Sequence, residues 1–254
     1  MIEKLLLVVI LSFLISCNHK DSKKVIIENE KKIVLSHNDL EIKYDLKDSN
    51  NDTLIEVEIG EINLPSGKII VGDPFFTFSV KPLTKTVAPG KYPVKIYLRK
   101  INTNHYRIAF SKIKFKEEKA NNWSLAISDD MNLQELNNLK EDEYFGFLVD
   151  SGLGCFLDSL TNEIYNKKLD EFEKKKGFNY YNNILAKEFK EYSASNKYSS
   201  EIGDWNNHIV DKTKNLNIIM FQSGWGDGYY PTYWGYNNKN EIVELTIDFM
   251  LNFE

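Results

Sequence analysis

The chain has 254 residues, of which 42% are apolar and 27% are charged, and its formal net charge is −5. This composition is typical of a globular protein with a sizeable core, and it excludes the collagenous and disordered classes. The mild acidity argues against a nucleic-acid binder, because such a protein normally presents a basic face. The two cysteines are too few for a disulfide framework.

The N-terminal sequence is typical of an export signal. The apolar run LLLVVILSFLI follows Lys4, and it is shorter than the ~20 residues that cross a bilayer as a helix. It has instead the length of a signal-peptide core. The run continues into Cys17, and the sequence LISC resembles a bacterial lipobox, in which the cysteine is acylated. A secretory signal with an accidental cysteine is the alternative.

We therefore expect a lipoprotein that is anchored through Cys17. Residues 1–16 form the signal peptide in this interpretation, and residues 17–37 form a polar tether with too few apolar side chains to fold alone. Residues 38–254 form a single α+β domain. A lipid such as palmitate would hold this domain on the extracytoplasmic side of a membrane in the bacterial cell envelope, which makes a membrane the expected partner.

Alternating apolar and polar residues predict strands through the first half of the domain. Two of these runs, at 92–101 and 106–115, are separated by a short polar stretch and predict a hairpin. Three leucines between 129 and 142 predict one or two helical turns. The remaining strand predictions are 42–46, 55–59, 69–71, 123–127 and 144–149.

The apolar spacing becomes helical after residue 156. One predicted helix carries Leu157, Leu160, Ile164, Leu169 and Phe172, and a second carries Tyr181, Ile184, Leu185, Phe189 and Tyr192. Three further strands, at 216–221, 229–236 and 242–249, predict a C-terminal β-meander. The predicted fold class is therefore α+β, with mainly antiparallel β-sheets and an inserted pair of amphipathic helices.

Candidate functional residues lie in turns that contain glycine or proline. The sequence Gly72-Asp73-Pro74 ends a strand and holds Asp73 extended. By itself it is typical of an ordinary turn.

The second such turn, DSGLGCFLD at 150–158, joins a predicted strand to a predicted helix. Backbone N–H groups at such a junction can face an anion, but Asp150 and Asp158 would oppose one. The sequence also lacks the dinucleotide and phosphate-loop motifs. We therefore favour a tight turn with an aspartate as helix N-cap. Cys155 is more typical of a buried thiol than of a nucleophile.

The third turn is the most unusual segment, SGWGDGYYPTYWGY at 223–236. Its glycines permit a sharply bent loop around Asp227. Aromatic side chains beside an acid suit sugars, cations or peptides, although aromatic residues also build ordinary sheet cores. The candidate binding residues are Trp225, Asp227, Tyr229, Tyr233 and Trp234.

Several short motifs in order carry a resemblance to a known family. They are LPSG at 64–67, GDP at 72–74, PGKYPV at 89–94, DSGLGCF at 150–156 and SGWGDGY at 223–229. Together they resemble the domain of unknown function 4241 family over roughly residues 55–254. The resemblance implies a shared fold and no particular activity.

Two classes of function stay open. The first is a membrane-tethered module that binds an unknown ligand or protein through the aromatic, glycine-rich loop. The second is a hydrolase in which four carboxylates converge, either to bind Ca²⁺ or Mg²⁺ or to act as an acid and base. We favour the first and expect no other cofactor, because no catalytic set is recognisable and the four histidines make zinc an unfavourable choice. The candidate acid cluster is Asp73, Asp150, Asp158 and Asp227.

Overall fold

The computed structural model describes residues 54–139 and 145–251. The predicted signal peptide, the tether and the predicted strand at 42–46 lie outside these residues. The strands are β1 (Ile55–Leu64), β2 (Ile69–Gly72), β3 (Gly90–Asn102), β4 (His105–Lys114), β5 (Asn122–Leu125), β6 (Phe147–Val149), β7 (Leu153–Asp158), β8 (Trp205–Asp211), β9 (Leu216–Gln222), β10 (Gly228–Tyr230), β11 (Thr232–Tyr236) and β12 (Ile242–Asp248).

Two α-helices follow one another between β7 and β8. They are α1 (Ser159–Glu173) and α2 (Ala186–Ser193), and a π-helical turn at Tyr181–Leu185 leads into α2. Short 3₁₀ turns occur at Thr77–Ser79 and at Leu133–Asn137, the second of which lies in the leucine-containing stretch where a helical turn was predicted. No helix among the described residues is long and apolar enough to cross a membrane.

The strands form two large antiparallel sheets and a small ribbon. The six-stranded sheet has the order β1-β3-β4-β12-β11-β5, and the four-stranded sheet has the order β2-β7-β9-β8. Strands β6 and β10 pair separately. The predicted hairpin is confirmed as β3 and β4, and the predicted α+β class with mainly antiparallel sheets is confirmed as well.

The four-stranded sheet is buried on both faces. Alternate residues of β7 and β9 point to opposite sides: Phe156 and Phe221 join the apolar core shared with the six-stranded sheet, whereas Leu157 and Met220 join the core shared with the helices. The molecule therefore has three layers, in the order sheet, sheet and helices.

This double burial corrects the predicted start of the first helix. Phe156 and Leu157 belong to strand β7, and α1 begins at Ser159 with Asp158 as its N-cap. A strand with both faces buried has a continuous apolar sequence, so it cannot be distinguished from a buried helix by periodicity alone. Leu160 is exposed, and the helix is buried instead around Tyr165 and Leu169.

The predicted C-terminal meander is also corrected. Strand β9 lies in the four-stranded sheet, and only β11 and β12 pair with each other. The predicted strand at 229–236 is divided at Pro231, which has no N–H group to donate to a ladder. Its first part pairs with β6 and its second part with β12 and β5. Strand β8 was not predicted, because its sequence WNNHIVD contains polar residues at buried positions.

Candidate functional site

The aromatic, glycine-rich loop borders a cavity of about 590 Å³. The loop and β10 form one side, and the 3₁₀ turn at Leu133–Asn137 and the two residues before β6, Phe145 and Gly146, contribute the other. The described residues that line the cavity are Glu135, Asn138, Leu139, Phe145, Gly146, Trp225, Asp227, Gly228, Tyr229, Tyr230, Phe249 and Met250. A volume of this size suits a small organic ligand or a few side chains of a partner.

Two aromatic rings at this cavity are unusually exposed. Trp225 is 59% exposed and Tyr229 is 53% exposed, although large aromatic side chains are normally mostly buried. The Arg107 guanidinium lies 5.3 Å from the centre of the Trp225 ring, a distance typical of a cation–π contact. Arg107 also donates to the Gly224 carbonyl at 3.4 Å, so it holds both the loop and the indole.

Hydrogen bonds within the loop fix its shape. The Gly226 N–H donates to the Ser223 carbonyl at 2.6 Å, and the Ser223 hydroxyl donates to the Gly226 carbonyl at 2.7 Å. The Tyr230 hydroxyl donates to the same carbonyl at 2.8 Å. Gly226 has φ +104°, a conformation that side-chain-bearing residues rarely adopt. The exposed rings of Trp225 and Tyr229 are therefore carried by a bent loop whose shape is fixed by internal hydrogen bonds.

Asp227 ties this loop to the turn that precedes β7. Its Oδ1 accepts from the Gly152 N–H at 3.0 Å. On the same turn, Oδ2 of Asp73 accepts from the N–H groups of Asp150 and Ser151 at 2.9 and 2.7 Å. The turn at 150–152 thus donates backbone hydrogen bonds to two carboxylates, those of Asp73 and Asp227. The motifs at 72–74, 150–158 and 223–236 therefore meet at this turn.

The described residues that line the cavity carry negative charge, whereas a cation, the Arg107 guanidinium, lies against the Trp225 ring. Glu135 and Asp227 line the cavity, and no Lys or Arg is among its described lining residues. The exposed rings add the negative faces of their π-systems. An apolar or aromatic group that carries a positive charge is the ligand type that this combination suits best.

Not all the candidate binding residues lie at this cavity. Trp225, Asp227 and Tyr229 line it, whereas Tyr233 and Trp234 do not. Trp234 is fully buried and packs in the core between the sheets, and Tyr233 is half-buried on the other face of β11. The division follows from the break at Pro231, after which the chain enters the six-stranded sheet.

The remaining aspartates have separate surroundings. Asp158 is fully buried; it accepts from the Leu160 N–H at 2.9 Å and from the Ser66 N–H and hydroxyl, so it caps α1 and fixes a turn. The favoured N-cap interpretation is confirmed. Asp150 is exposed. Among the residues that the structure describes, no group of three or more His, Cys, Asp or Glu side chains is arranged to hold a metal ion. The hydrolase and the Ca²⁺ or Mg²⁺ site stay predictions.

Cys155 lies in the middle of β7 with no solvent exposure. Burial, together with the nearby Asp73 carboxylate, raises the pKa of its thiol well above the ordinary value. A thiol in this state is a poor nucleophile. The structure supports the interpretation of a buried structural thiol.

Several residues at the cavity have no signal in the sequence. Glu135 and Asn138 lie in a polar stretch, and Arg107 is one charged residue of an alternating strand. Gly146 has a definite role, because a Cβ atom there would lie 1.9 Å from the Tyr230 carbonyl oxygen. Only glycine permits this approach of the two chain segments. A single glycine before a short strand, however, predicts nothing so specific.

We expect Gly146→Ala to destabilise the protein by about 3 kcal/mol, because the added methyl group would push β10 away from β6. Chemical denaturation measures the change. Gly152→Ala is the control: it has φ +69° but no atom within 4 Å of the added Cβ, so it should lose only the roughly 1 kcal/mol of a strained backbone. Equal losses in the two variants would contradict the close approach at Gly146.

Comparison with known proteins shows the family. A family model described as "Protein of unknown function (DUF4241)" matches residues 62–247, which is most of the chain, so the chain belongs to this family. The resemblance found in the sequence motifs is confirmed. No curated protein and no solved structure matches the chain.

Proposed function

We propose that this member of the DUF4241 family is a binding module whose ligand enters the cavity beside Trp225. The ligand class is an organic cation or a cationic side chain attached to an apolar body. The observation that carries the proposal is the pair of exposed rings, Trp225 and Tyr229, at a cavity that also contains two carboxylates. Water-exposed aromatic surface costs free energy, and covering it with a ligand recovers that free energy.

The hydrogen bonds that fix the loop under the Trp225 and Tyr229 rings favour a role in ligand binding. Hydrogen bonds from Ser223, Gly226 and Tyr230 shape the loop, and Asp227 joins it to the turn at Gly152. Such a preformed site loses little conformational entropy when a ligand binds. The rigid support therefore lets a modest apolar area give measurable affinity.

The predicted lipid anchor would place this module at a membrane surface. We propose that Cys17 is the lipidated residue and that residues 17–37 tether the domain to a membrane of the cell envelope. The lipobox-like sequence LISC supports this part of the proposal. Metabolic labelling with a palmitate analogue tests it: label should enter the full chain and be absent from Cys17→Ala.

Tryptophan fluorescence provides a direct test of the cavity. Trp225 is exposed, whereas Trp123, Trp205 and Trp234 are 1%, 3% and 0% exposed, so a ligand in the cavity should alter the emission of Trp225 alone. We expect phenethylammonium to cause a saturable change. Neutral 2-phenylethanol should bind about tenfold more weakly, because it lacks the charge that Asp227 and Glu135 attract.

Variants separate this site from non-specific binding. Tyr229→Ala and Asp227→Asn should each weaken the phenethylammonium affinity by about five- to tenfold. Phe78→Ala is the matched control, since Phe78 is an exposed aromatic residue outside the cavity, and it should leave the affinity unchanged. An emission change that persists undiminished in Tyr229→Ala, or no saturable change in the native protein, would contradict the proposal.

A further inference from the structure

A second cavity, of about 850 Å³, lies on the outer face of the six-stranded sheet and shares no described lining residue with the first. Four strands of this sheet supply its floor: Tyr97 comes from β3, Lys112 from β4, Trp123 from β5 and Glu244 from β12. All four side chains are almost completely buried. The rim carries further charged residues, namely Glu56, Lys95, Lys114, Glu117, Glu118, Lys119 and Lys239.

The buried lysine is the unusual member of this floor. Lys112 is only 3% exposed, and lysine is among the residues least often buried. Its Nζ lies 3.2 Å from Oε2 of Glu244 and 5.0 Å from the centre of the Tyr97 ring. Burial disfavours the charged ammonium more than the Glu244 carboxylate favours it, and the pKa of Lys112 falls to about 8.

The carboxylate beside this lysine is held in one position. Oε1 of Glu244 accepts from the Trp123 indole N–H at 3.1 Å, and Oε2 accepts from Lys114 at 3.3 Å. Gly235 makes room for this packing, because a Cβ atom there would lie 2.5 Å from Cγ of Glu244 and 2.8 Å from the Trp123 indole nitrogen. The cavity thus places an amine and a fixed carboxylate side by side.

We propose that Lys112 is a nucleophilic lysine that forms an imine with a small aldehyde or ketone bound in this cavity, with Glu244 as the proton carrier. A desolvated lysine beside another cationic group is the usual arrangement for such a nucleophile, and Lys114 is that second cation. The cavity supplies the space for the carbonyl compound. The inference does not depend on the aromatic cavity at Trp225.

The reaction balances without a further reagent. The neutral Nζ of Lys112 donates its electron pair to the carbonyl carbon, and a proton moves from nitrogen to the carbonyl oxygen to give a carbinolamine. Glu244 then takes the remaining N–H proton as the C–O bond breaks, and the leaving hydroxide receives that proton and departs as water. The sum is amine plus carbonyl giving imine plus water.

The neutral fraction of the Lys112 amine predicts how much faster it should react than the exposed lysines. At pH 7.5 about a quarter of amines with a pKa near 8 are neutral, against about 0.1% of exposed lysines with a pKa near 10.4. The titratable or charged groups that face Lys112 are Glu56 on β1, Lys95 and Tyr97 on β3, Lys114 on β4 and Glu244 on β12. Although burial opposes it, the hydrogen bond from Lys95 lowers the pKa of Glu56, and burial raises the pKa of Tyr97. Neither group changes its charge between pH 6.5 and 9, so the labelling rate should report Lys112 itself.

Reductive trapping on the full chain tests the proposal. The protein is incubated with glyoxylate at pH 7.5, the imine is reduced with borohydride, and peptide mapping locates the carboxymethyl-lysine that results. We expect Lys112 to be labelled at least about tenfold faster than any other lysine. Its labelling rate should rise with pH and level off above about pH 8.

Two variants and one comparison complete the experiment. Lys112→Arg keeps the positive charge and should remove the dominant adduct, and Lys68→Arg, at an exposed position outside the cavity, should not. Should Lys112→Arg fail to fold, the map of the native protein still decides the question. Labelling of Lys112 no faster than that of exposed lysines, or none at all, overturns the proposal, whereas the Trp225 titration is unaffected by either result.

Discussion

Glu244→Ala should lower the free energy of unfolding by about 3–5 kcal/mol, the cost of removing one partner from a buried ion pair. The side chain is 1% exposed and lies within 3.3 Å of the amino groups of both Lys112 and Lys114. Without it, the buried Lys112 loses the carboxylate that lies 3.2 Å from its Nζ, and the buried Trp123 indole N–H loses the Glu244 oxygen as an acceptor. Denaturation in urea, followed by circular dichroism, measures the loss.

A double variant and a surface control distinguish this cause from simple loss of volume. Replacing the pair together, as Lys112→Met with Glu244→Leu, should restore much of the lost stability, because the buried ammonium is removed together with the carboxylate that compensates it. Glu191 pairs with Lys187 on the exposed side of α2, and Glu191→Ala should change stability by less than about 0.5 kcal/mol. A double variant as unstable as Glu244→Ala would show that the broken ion pair is not the main cause of the loss.

Asp73→Ala should cost about 3 kcal/mol, since it removes the acceptor of three backbone N–H groups. Asp73 is 1% exposed, and besides the N–H groups of Asp150 and Ser151 it accepts from the Phe75 N–H at 2.9 Å. The exposed Asp150, which lies in the turn that Asp73 holds, is the matched control. Asp150→Ala should lose less than about 0.5 kcal/mol, typical of surface substitutions.

Asp73→Ala should also weaken ligand binding at the aromatic cavity. Asp73 holds the turn whose Gly152 N–H donates to Asp227, so a loosened turn frees the loop that carries Trp225. We expect the phenethylammonium affinity to fall in Asp73→Ala and to stay unchanged in Asp150→Ala. A loss of affinity in Asp150→Ala would instead indicate that this carboxylate contacts the ligand.

The sequence was sufficient for the strands whose two faces differ. In β3 the apolar residues Val94, Ile96 and Leu98 alternate along the chain, since they face the core between the two sheets, and the hairpin with β4 follows from this pattern. Strand β7 has no such alternation, because both of its faces are buried. Strand β8 has polar residues inside: His208 is 4% exposed and bonds to Glu188 and Tyr180. These side-chain partners come from distant elements, so the local pattern does not indicate them.

The candidate site was predictable in part for a similar reason. Glycines on both sides of Asp227 indicate a bent loop, and the structure places Trp225 and Tyr229 at a cavity beside it. Trp234 has the same side chain as Trp225 but lies beyond Pro231 in a buried strand. Only the pairing of β11 with its neighbours distinguishes the two tryptophans. Lys112 was missed because lysine in an alternating strand normally faces water. Its burial depends on Trp123 and Glu244, which lie on other strands.

The indole N–H signals in a heteronuclear NMR spectrum give the most direct test of the aromatic cavity as a binding site. The chain has four tryptophans, and only Trp225 is exposed among them. Titration with phenethylammonium should move the Trp225 signal in a saturable way and leave those of Trp123, Trp205 and Trp234 in place. A Trp225 signal that stays fixed while the probe reaches millimolar concentration, or equal movement of all four signals, would contradict a ligand site at the aromatic loop.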